Sequence, residues 1–396
     1  MKTQLFSLLF VLLTLAVSAA SAEIDLAPYF VSDQADTEVC VIRPGVILEF
    51  YQFSDLKLAP EAWITLWNNG QKEAFYPLSV LADIDESRLA QLRAASDQDA
   101  YIFELLDHRV SNAPFAVSEN LYGYISEAPE QVVHVLSGGS SVSEFALHAE
   151  RETPLENYAA LEDVFVYLRG LNTLECYAWD GRLLGSFALE ADVLHMLSCV
   201  QTQDGALSLL VTDDDGVRLY QFDLLQNASQ QQLLLAALDS YAYRGWLGGD
   251  GRSALIESHT HKTYQAKSLT RRDAQGNVLW SKTLQAEKLV VSVDAAIPHD
   301  DGSTTLYGTA MANSRGIYTA FILEVDAQGK IISRDIRDFT TTATYLYNMV
   351  LDTQRHPYVV SRFAGASSPE AGGGNKSAVV PFEDLPAHND PGLVLE

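Results

Sequence analysis

Short apolar runs alternate with turn residues along most of the second half of the chain. Residues 207–211, 320–325 and 358–360 are rich in aliphatic or aromatic side chains, and Asp, Gly, Asn or Pro stands near their ends. Runs of this length with such boundaries are typical of β-strands joined by tight hairpins. Aspartate and glycine suit these hairpins because glycine accepts positive φ and aspartate bonds the backbone of its own turn.

Two series of aspartate turns interleave with a period of about 50 residues. The first series stands at Asp180, Asp223, Asp273 and Asp326, and the second stands at Asp204, Asp250, Asp301 and Asp352. Two hairpins in each period mean four strands, and a repeated four-stranded unit predicts the blades of a β-propeller. A sandwich would have turns without this two-phase repetition.

The first half of the chain is less regular but fits the same period. Residues 68–70, Asn-Asn-Gly, predict a hairpin of the first series, and residues 127–130 are its expected equivalent in the next blade. Three further sites are expected to continue the second series towards the N-terminus: residues 44–45, 97–99 and 138–139. The seven expected turns of the second series, and the length left after the first 22 residues divided by the period, both give about seven blades, with six or eight left open. The predicted fold is therefore all-β, a single β-propeller of four-stranded blades.

The remaining segments predict insertions and a closing strand. Residues 85–95 and 154–163 have helical character, residues 367–377 predict a loop, and residues 378–382 predict a last strand. A propeller closes its ring, often by pairing strands from both chain ends, because an open edge invites aggregation. We therefore expect the last strand to share a blade with an N-terminal strand near residues 46–50.

The first 22 residues predict a cleaved secretory signal peptide. Lys2 precedes an apolar run over residues 5–17, and residues 20–22, Ala-Ser-Ala, form a small-residue cleavage site. The run is short for a membrane span, which takes about 20 residues, and an uncleaved anchor is the alternative. The expected organisation is a propeller over residues 23–385 and a tail over residues 386–396. The product is expected to be secreted or held in the cell envelope without membrane insertion.

Charge and cysteine content restrict the partners and the redox chemistry. The chain has 52 acidic and 26 basic residues, a formal net charge of −26, which disfavours nucleic acids and anionic membrane surfaces. Such acidity favours a soluble protein, expected here to be a monomer, and leaves the binding of a cation or basic ligand open. Cys40, Cys176 and Cys199 are too few for a disulfide framework. A single bridge between Cys176 and Cys199 stays open, because sequence position fixes no Cα separation.

The turn that follows Arg272 resembles a known repeat. Residues 272–280 read Arg-Asp-Ala-Gln-Gly-Asn-Val-Leu-Trp, which is similar to the Asp-x-x-Thr-Gly-x-x-x-Trp repeat of PQQ-like β-propellers. Residues 325–332 are similar without the tryptophan, and residues 350–360 look more like NHL or YVTN repeats. The resemblance implies a propeller fold, in a group that includes quinoprotein dehydrogenases and also cofactor-free scaffolds and binding proteins. The adjacent cysteine pair of quinoprotein alcohol dehydrogenases is missing, so no cofactor is inferred.

Two places in the sequence carry candidate metal ligands. Asp213 and Asp215 belong to an Asp-Asp-Asp-Gly run, and carboxylates suit calcium, but the Asp-x-Asp-x-Asp-Gly spacing fails because residue 211 is valine. His259 and His261 lie on one face of a predicted strand, where two imidazoles can begin a zinc or copper site. The alternative for the aspartates is a solvated hairpin turn. The alternative for the histidines is a structural or exposed histidine pair.

A cluster of aromatic residues and an arginine is the candidate ligand-binding set. Tyr241, Tyr243, Arg244 and Trp246 precede the Asp250 turn and belong to a predicted inner strand that lines the propeller channel. Aromatic rings beside an arginine can hold a sugar or a peptide, and the alternative is ordinary packing between blades. No serine-hydrolase elbow, phosphate loop or His-Glu-x-x-His motif is present.

These features together favour a non-catalytic binding or scaffold module for a protein, a peptide or a glycan. The alternative is a propeller hydrolase or lyase that acts on a carbohydrate or a lactone, with acidic residues or a metal in the axial channel. Converging acidic side chains with shifted pKa values in the channel favour the enzyme, and an uncharged lining favours the binding module.

Overall fold

The structure is a computed structural model of the 396-residue chain. It describes residues 30–32, 37–52, 62–78, 113–126, 131–148, 157–226, 228–236, 240–260, 267–286, 289–312, 318–338, 344–364, 375–388 and 392–396. No helix within these ranges is long and apolar enough to cross a membrane. The predicted signal peptide, the predicted helix at residues 85–95 and the predicted turns at residues 97–99 and 127–130 contain no described residue.

Seven antiparallel sheets form the blades, and four strands in each follow one another from the ring axis outwards. Blades 1 to 3 are β2 Thr37–Arg43, β3 Val46–Gln52, β4 Ala62–Asn68 and β5 Gln71–Leu78; β6 Ala113–Ser118, β7 Leu121–Ser126, β8 Val132–Ser137 and β9 Ser140–Ala146; β10 Tyr158–Ala160, β11 Phe165–Arg169, β12 Thr173–Tyr177 and β13 Leu183–Ala188. Blades 4 to 6 are β14 His195–Gln201, β15 Leu207–Asp213, β16 Gly216–Asp223 and β17 Ala228–Ala236; β18 Ser240–Leu247, β19 Ala254–Thr260, β20 Lys267–Arg272 and β21 Val278–Gln285; β22 Leu289–Pro298, β23 Thr304–Ala312, β24 Tyr318–Val325 and β25 Ile331–Asp338. The prediction of a seven-bladed all-β propeller is confirmed.

Blade 7 closes the ring with strands from both ends of the chain. Its strands are β26 Thr344–Leu351, β27 Pro357–Ala364, β28 Asn375–Pro381 and, outermost, β1 Phe30–Ser32. Phe30 lies opposite Val379 in the register of the β1–β28 pair. The expectation of shared closure is confirmed, but the predicted partner was wrong. Residues 46–50 belong to β3 in blade 1, whose two edges are already occupied by β2 and β4.

The two aspartate series lie on the same face of the ring. The second series joins the first and second strands of a blade, and the first series joins the third and fourth strands. In an antiparallel blade these two connections leave the sheet at the same end. We call this end the Asp–Gly face, and the other end the opposite face.

Side chains of the turn aspartates fix the turns themselves. Asp273 Oδ1 accepts hydrogen bonds from the backbone N–H groups of Gln275 at 2.9 Å and Asn277 at 2.8 Å. Gly276 has a φ of +81°, which glycine adopts at little cost. Asp326 and Asp352 make the same pairs of backbone contacts. The recurring aspartates are therefore structural.

The turns also dock neighbouring blades, which explains the tryptophan of the repeat. Trp280 on β21 of blade 5 is buried, and a Cβ added to Gly329 of blade 6 would lie 2.9 Å from its ring. Gly181 of blade 3 lies against Phe145 of blade 2 in the same way. The PQQ-like motif in this chain therefore specifies packing between blades.

Two early turns and one helix were assigned wrongly from the sequence. Residues 138–139 join β8 to β9, the third and fourth strands of blade 2, so they belong to the first series. Residues 127–130 fall between the second and third strands and belong to neither series. Within the predicted helix at residues 154–163, Tyr158–Ala160 form β10 and pair with β11. Pairing across the sheet overrides the local helical preference of this segment. The predicted loop at residues 367–377 likewise ends earlier, because β28 begins at Asn375.

The core is divided among the seams between blades. The described residues form seven apolar clusters, each spanning one pair of neighbouring blades around the ring. Cys176 and Cys199 belong to the seam between blades 3 and 4, and all three cysteines are free. Burial raises the pKa of the Cys40 and Cys176 thiols to about 12, so neither thiol is an effective nucleophile near neutral pH.

A C-terminal strap (residues 382–388 and 392–396) runs along the outer edges of two blades. It begins with the 3-10 helix Phe382–Asp384 after β28. Ala387 forms a bridge to Arg337 on β25 of blade 6, and β29 Val394–Leu395 pairs with β21 of blade 5. Leu393 is fully buried in the seam between these blades. The segment expected as a tail thus covers two outer edges, which are otherwise open to pairing with other chains.

Candidate functional site

The predicted ligand-binding residues all lie on β18, the inner strand of blade 5. The backbones of Tyr241 and Tyr243 are described, and their side chains are not. Trp246 is half-buried and packs against the apolar core of the blade 5–6 seam, as the packing alternative expects. The Arg244 side chain is 47% exposed, so Arg244 is the member of this set that the structure shows accessible to a ligand.

Arg244 belongs to a charged group that we call the seam cluster: Arg244, Glu257, Lys267 and Asp294. Arg244 lies directly opposite Glu257 across the β18–β19 ladder, and Glu257 Oε1 is 3.3 Å from Lys267 Nζ. Arg244 Nη1 is 3.5 Å from Asp294 Oδ1 on the inner strand of blade 6. Two carboxylates and two basic groups therefore meet at the seam between blades 5 and 6. Lys267 begins β20, so the cluster extends towards the opposite face.

Asp294 connects three blades. Its Oδ1 accepts a hydrogen bond from Ser292 Oγ at 2.8 Å, and its Oδ2 accepts one from the backbone N–H of Met349 in blade 7 at 3.0 Å. Arg244 of blade 5 also donates to the carbonyl oxygen of Val293. These contacts hold the guanidinium in one place and leave part of its surface to the solvent.

The position of Asp294 carries a signal that the sequence reading missed. Six of the seven inner strands have a β-bulge, and each bulge inserts one residue: Ile42, Val117, Leu197, Tyr243, Asp294 and Tyr345. Asp294 is the carboxylic acid in this set. Bulges often redirect a side chain next to a functional site. Aligning the inner strands by their turns would have singled out Asp294, whereas Glu257 and Lys267 have no comparable local signal.

Burial shifts the acid–base behaviour of both carboxyls. It raises the pKa of Glu257, against the opposing charges of Lys267 and Arg244. It also raises the pKa of Asp294, against hydrogen bonds from Met349 and Ser292 and the charge of Arg244. Two carboxyl groups with raised pKa values, Glu257 and Asp294, therefore meet at this seam, and each lies beside a basic group.

We expect Glu257 to make the stability of the protein depend on pH. A carboxyl whose pKa is higher in the folded chain binds more protons when folded, so its contribution to stability falls as the pH rises through that interval. The free energy of unfolding of the wild type, minus that of Glu257→Gln, should decrease from about pH 4, near the ordinary glutamate pKa, towards pH 7. Urea titrations of both proteins at four pH values measure this difference. A difference that grows with pH would contradict the raised pKa.

Both aspartates predicted as metal ligands lie beside Arg218. Asp213 is buried, and its Oδ2 is 2.7 Å from Arg218 Nε. Asp215 Oδ2 is 3.1 Å from Arg218 Nη2, so both carboxylates already pair with the same guanidinium. His259 lies on β19 opposite Tyr241, and His261 is outside the described residues. Among the described residues there is no group of three or more His, Cys, Asp or Glu side chains placed to hold a metal ion. Metal binding at either place stays a prediction.

Comparisons with known proteins identify no family for this chain. No protein-family model matches the chain. A search of curated proteins also finds no match. Among solved structures, the crystal structure of BamB from Moraxella catarrhalis matches over 84% of this chain and 100% of that one, with 10% identity and a TM-score of 0.36. A likeness at this level carries no argument about activity or partners, so a functional hypothesis has to rest on the residues themselves.

Proposed function

We propose that this chain is an exported, monomeric binding module that holds a protein, peptide or glycan ligand at the seam cluster. The observation that carries the proposal is the half-exposed guanidinium of Arg244, which is fixed by Val293 and Asp294 from the neighbouring blade. A guanidinium has five N–H donors in a rigid plane. Those not used within the protein can donate to carbonyl, carboxylate or hydroxyl oxygens of a ligand.

The charge of the chain and its N-terminal sequence support the rest of the proposal. The apolar run at residues 5–17 and the cleavage site that follows support export. The net charge of −26 opposes nucleic acid as the ligand. Tyr241 and Tyr243 share the strand of Arg244 and are proposed to add aromatic surface for a sugar ring or a peptide side chain.

Replacing Arg244 with alanine is expected to weaken ligand binding by at least about tenfold, since hydrogen bonds to a charged group contribute about 1.5–3 kcal/mol. Ligands are first selected by screening the purified mature chain on glycan and peptide arrays, and their affinities are then measured by calorimetry. Arg182→Ala is the matched control, because the side chain of Arg182 is 69% exposed on the Asp–Gly face. Arrays without a ligand, or affinities that Arg244→Ala leaves unchanged, would contradict the proposal.

A hydrolase or lyase acting on a carbohydrate or a lactone is the second candidate, and the raised pKa values of Glu257 and Asp294 favour it. A general acid needs a carboxyl that keeps its proton near neutral pH. Binding remains the first choice because Lys267 and Arg244 already pair with these carboxyls. Turnover in a panel of such substrates that is lost in Asp294→Asn, with folding unchanged, would reverse this order.

A further inference from the structure

Blade 2 places a serine, a histidine and a glutamate in one row across three adjacent strands. Ser126 Oγ lies 2.8 Å from His134 Nε2, and His134 Nδ1 lies 3.3 Å from Glu144 Oε1. The three residues come from the adjacent strands β7, β8 and β9, and His134 pairs directly with Glu144 in the β8–β9 register. None of them belongs to the seam cluster.

The order of the atoms in this row fixes the role of each imidazole nitrogen. A carboxylate accepts hydrogen bonds, so Nδ1, which faces Glu144, carries the proton of the neutral ring. Nε2 is then free to accept the proton of the Ser126 hydroxyl. This is the arrangement in which a histidine activates a serine and an acid orients the histidine.

The surrounding residues hold the imidazole and leave the row open to solvent on one side. The ring of Tyr124 stacks on that of His134, with centroids 4.4 Å apart and an interplanar angle of 17°. The His134 side chain is 19% exposed and that of Glu144 is 56% exposed. Ser126 is half-buried at the last position of β7, where this strand reaches the opposite face. The row is therefore exposed to solvent on the side of Glu144.

We propose that Ser126, His134 and Glu144 form an acyl-transfer site for esters of small carboxylic acids. Ser126 Oγ bonds to the ester carbonyl carbon while its proton passes to His134 Nε2. The bond from that carbon to the alkoxy oxygen then breaks, and the alcohol leaves with the proton from Nε2. Water then attacks the acyl carbon while its proton passes to Nε2. The bond from that carbon to Ser126 Oγ breaks, Nε2 returns the proton to Oγ, and the carboxylic acid leaves. Ser126 and His134 are the catalytic residues, and Glu144 is a positioning residue.

The test uses the purified mature chain with a fluorophosphonate probe and with p-nitrophenyl acetate. We expect the probe to label Ser126, located by mass spectrometry of the peptide, and acetate release to fall at least a hundredfold in Ser126→Ala. Ser137→Ala is the matched control, because Ser137 is a half-buried serine on the strand of His134, and its rate should equal that of the wild type. In Glu144→Gln, kcat should fall at least tenfold with KM unchanged.

Several results would contradict the proposed acyl-transfer site. One is failure of the probe to label Ser126 in protein whose thermal unfolding is cooperative. Another is acetate release that Ser126→Ala leaves unchanged, since surface imidazoles and amines also cleave this ester. If Glu144→Gln kept the wild-type kcat, its role in positioning His134 would be wrong. None of these outcomes bears on binding at the seam cluster, which lies on blades 5 and 6.

Discussion

Replacing Arg271 with alanine is expected to lower the free energy of unfolding by about 3–5 kcal/mol, because its buried guanidinium makes two hydrogen bonds to the next blade and each such bond from a charged group contributes about 1.5–3 kcal/mol. Arg271 on β20 is 1% exposed. Its Nη2 donates to the carbonyl oxygen of His299 at 2.7 Å, and its Nε donates to Thr304 Oγ1 at 3.1 Å. Both acceptors belong to blade 6, so the side chain joins blade 5 to the next blade beneath the Asp–Gly face.

The alanine variant loses more than these hydrogen bonds. Burial lowers the pKa of Arg271, and the charges of four turn aspartates oppose that shift: Asp250, Asp273, Asp300 and Asp301. Removing the guanidinium leaves the mutual repulsion of these aspartates without a central cation, and it removes the hydrogen bonds to His299 and Thr304 that join the two blades.

Urea unfolding at neutral pH measures this effect against two further variants. Arg271→Met keeps most of the volume and should lie between the wild type and Arg271→Ala, because packing is retained while the hydrogen bonds to blade 6 are lost. Arg182→Ala removes an exposed arginine and should stay within about 0.5 kcal/mol of the wild type. If Arg271→Ala cost less than about 1 kcal/mol, the network would not hold these blades together.

Deleting the closing strand is the second change with a large expected effect. A chain that begins at residue 33 lacks β1, which pairs with β28 through residues 30–32. The loss of a few backbone hydrogen bonds should destabilise the protein by about 2–4 kcal/mol. It also leaves β28 as an open edge that can pair with another chain, so oligomers should form.

Thermal unfolding and size-exclusion chromatography with light scattering measure these two consequences. A chain that begins at residue 30 is the matched control, because it keeps β1 and lacks only the residues before it. This control should elute as a monomer with the stability of the full mature chain. Equal stability and equal mass for the two truncated chains would show that β1 does not close the ring.

Much of the fold could be predicted from the sequence because hairpin chemistry is local. Asp273 with Gly276, and Asp326 with Gly329, specify turns through their own backbone bonds and positive φ, and no distant residue is needed for this. Local sequence does not specify which two strands of a blade a turn joins. Residues 138–139 predict a hairpin correctly, but a Gly-Gly turn is the same between the first and second strands as between the third and fourth.

The candidate sites were predicted less well, since each is formed by residues far apart in the chain. Arg244 was identified because aromatic residues surround it in the sequence. Its partner Asp294 lies on the next inner strand and looks like an ordinary acidic residue among the 52 in this chain. Arg271 belongs to no sequence motif, although it is the largest fully buried side chain of the described residues.

The sequence by itself determined the repeating unit and the structural role of the turn aspartates, because both follow from periodic hairpins whose hydrogen bonds close within a few residues. It favoured seven blades and left six or eight open. Only the tertiary structure decided that both series lie on one face of the ring, that β1 rather than residues 46–50 completes blade 7, and that the last residues cover blades 5 and 6. It also decided which charged side chains meet. Those outcomes depend on the order of strands and on burial at the seams, and neither is present in any local stretch of sequence.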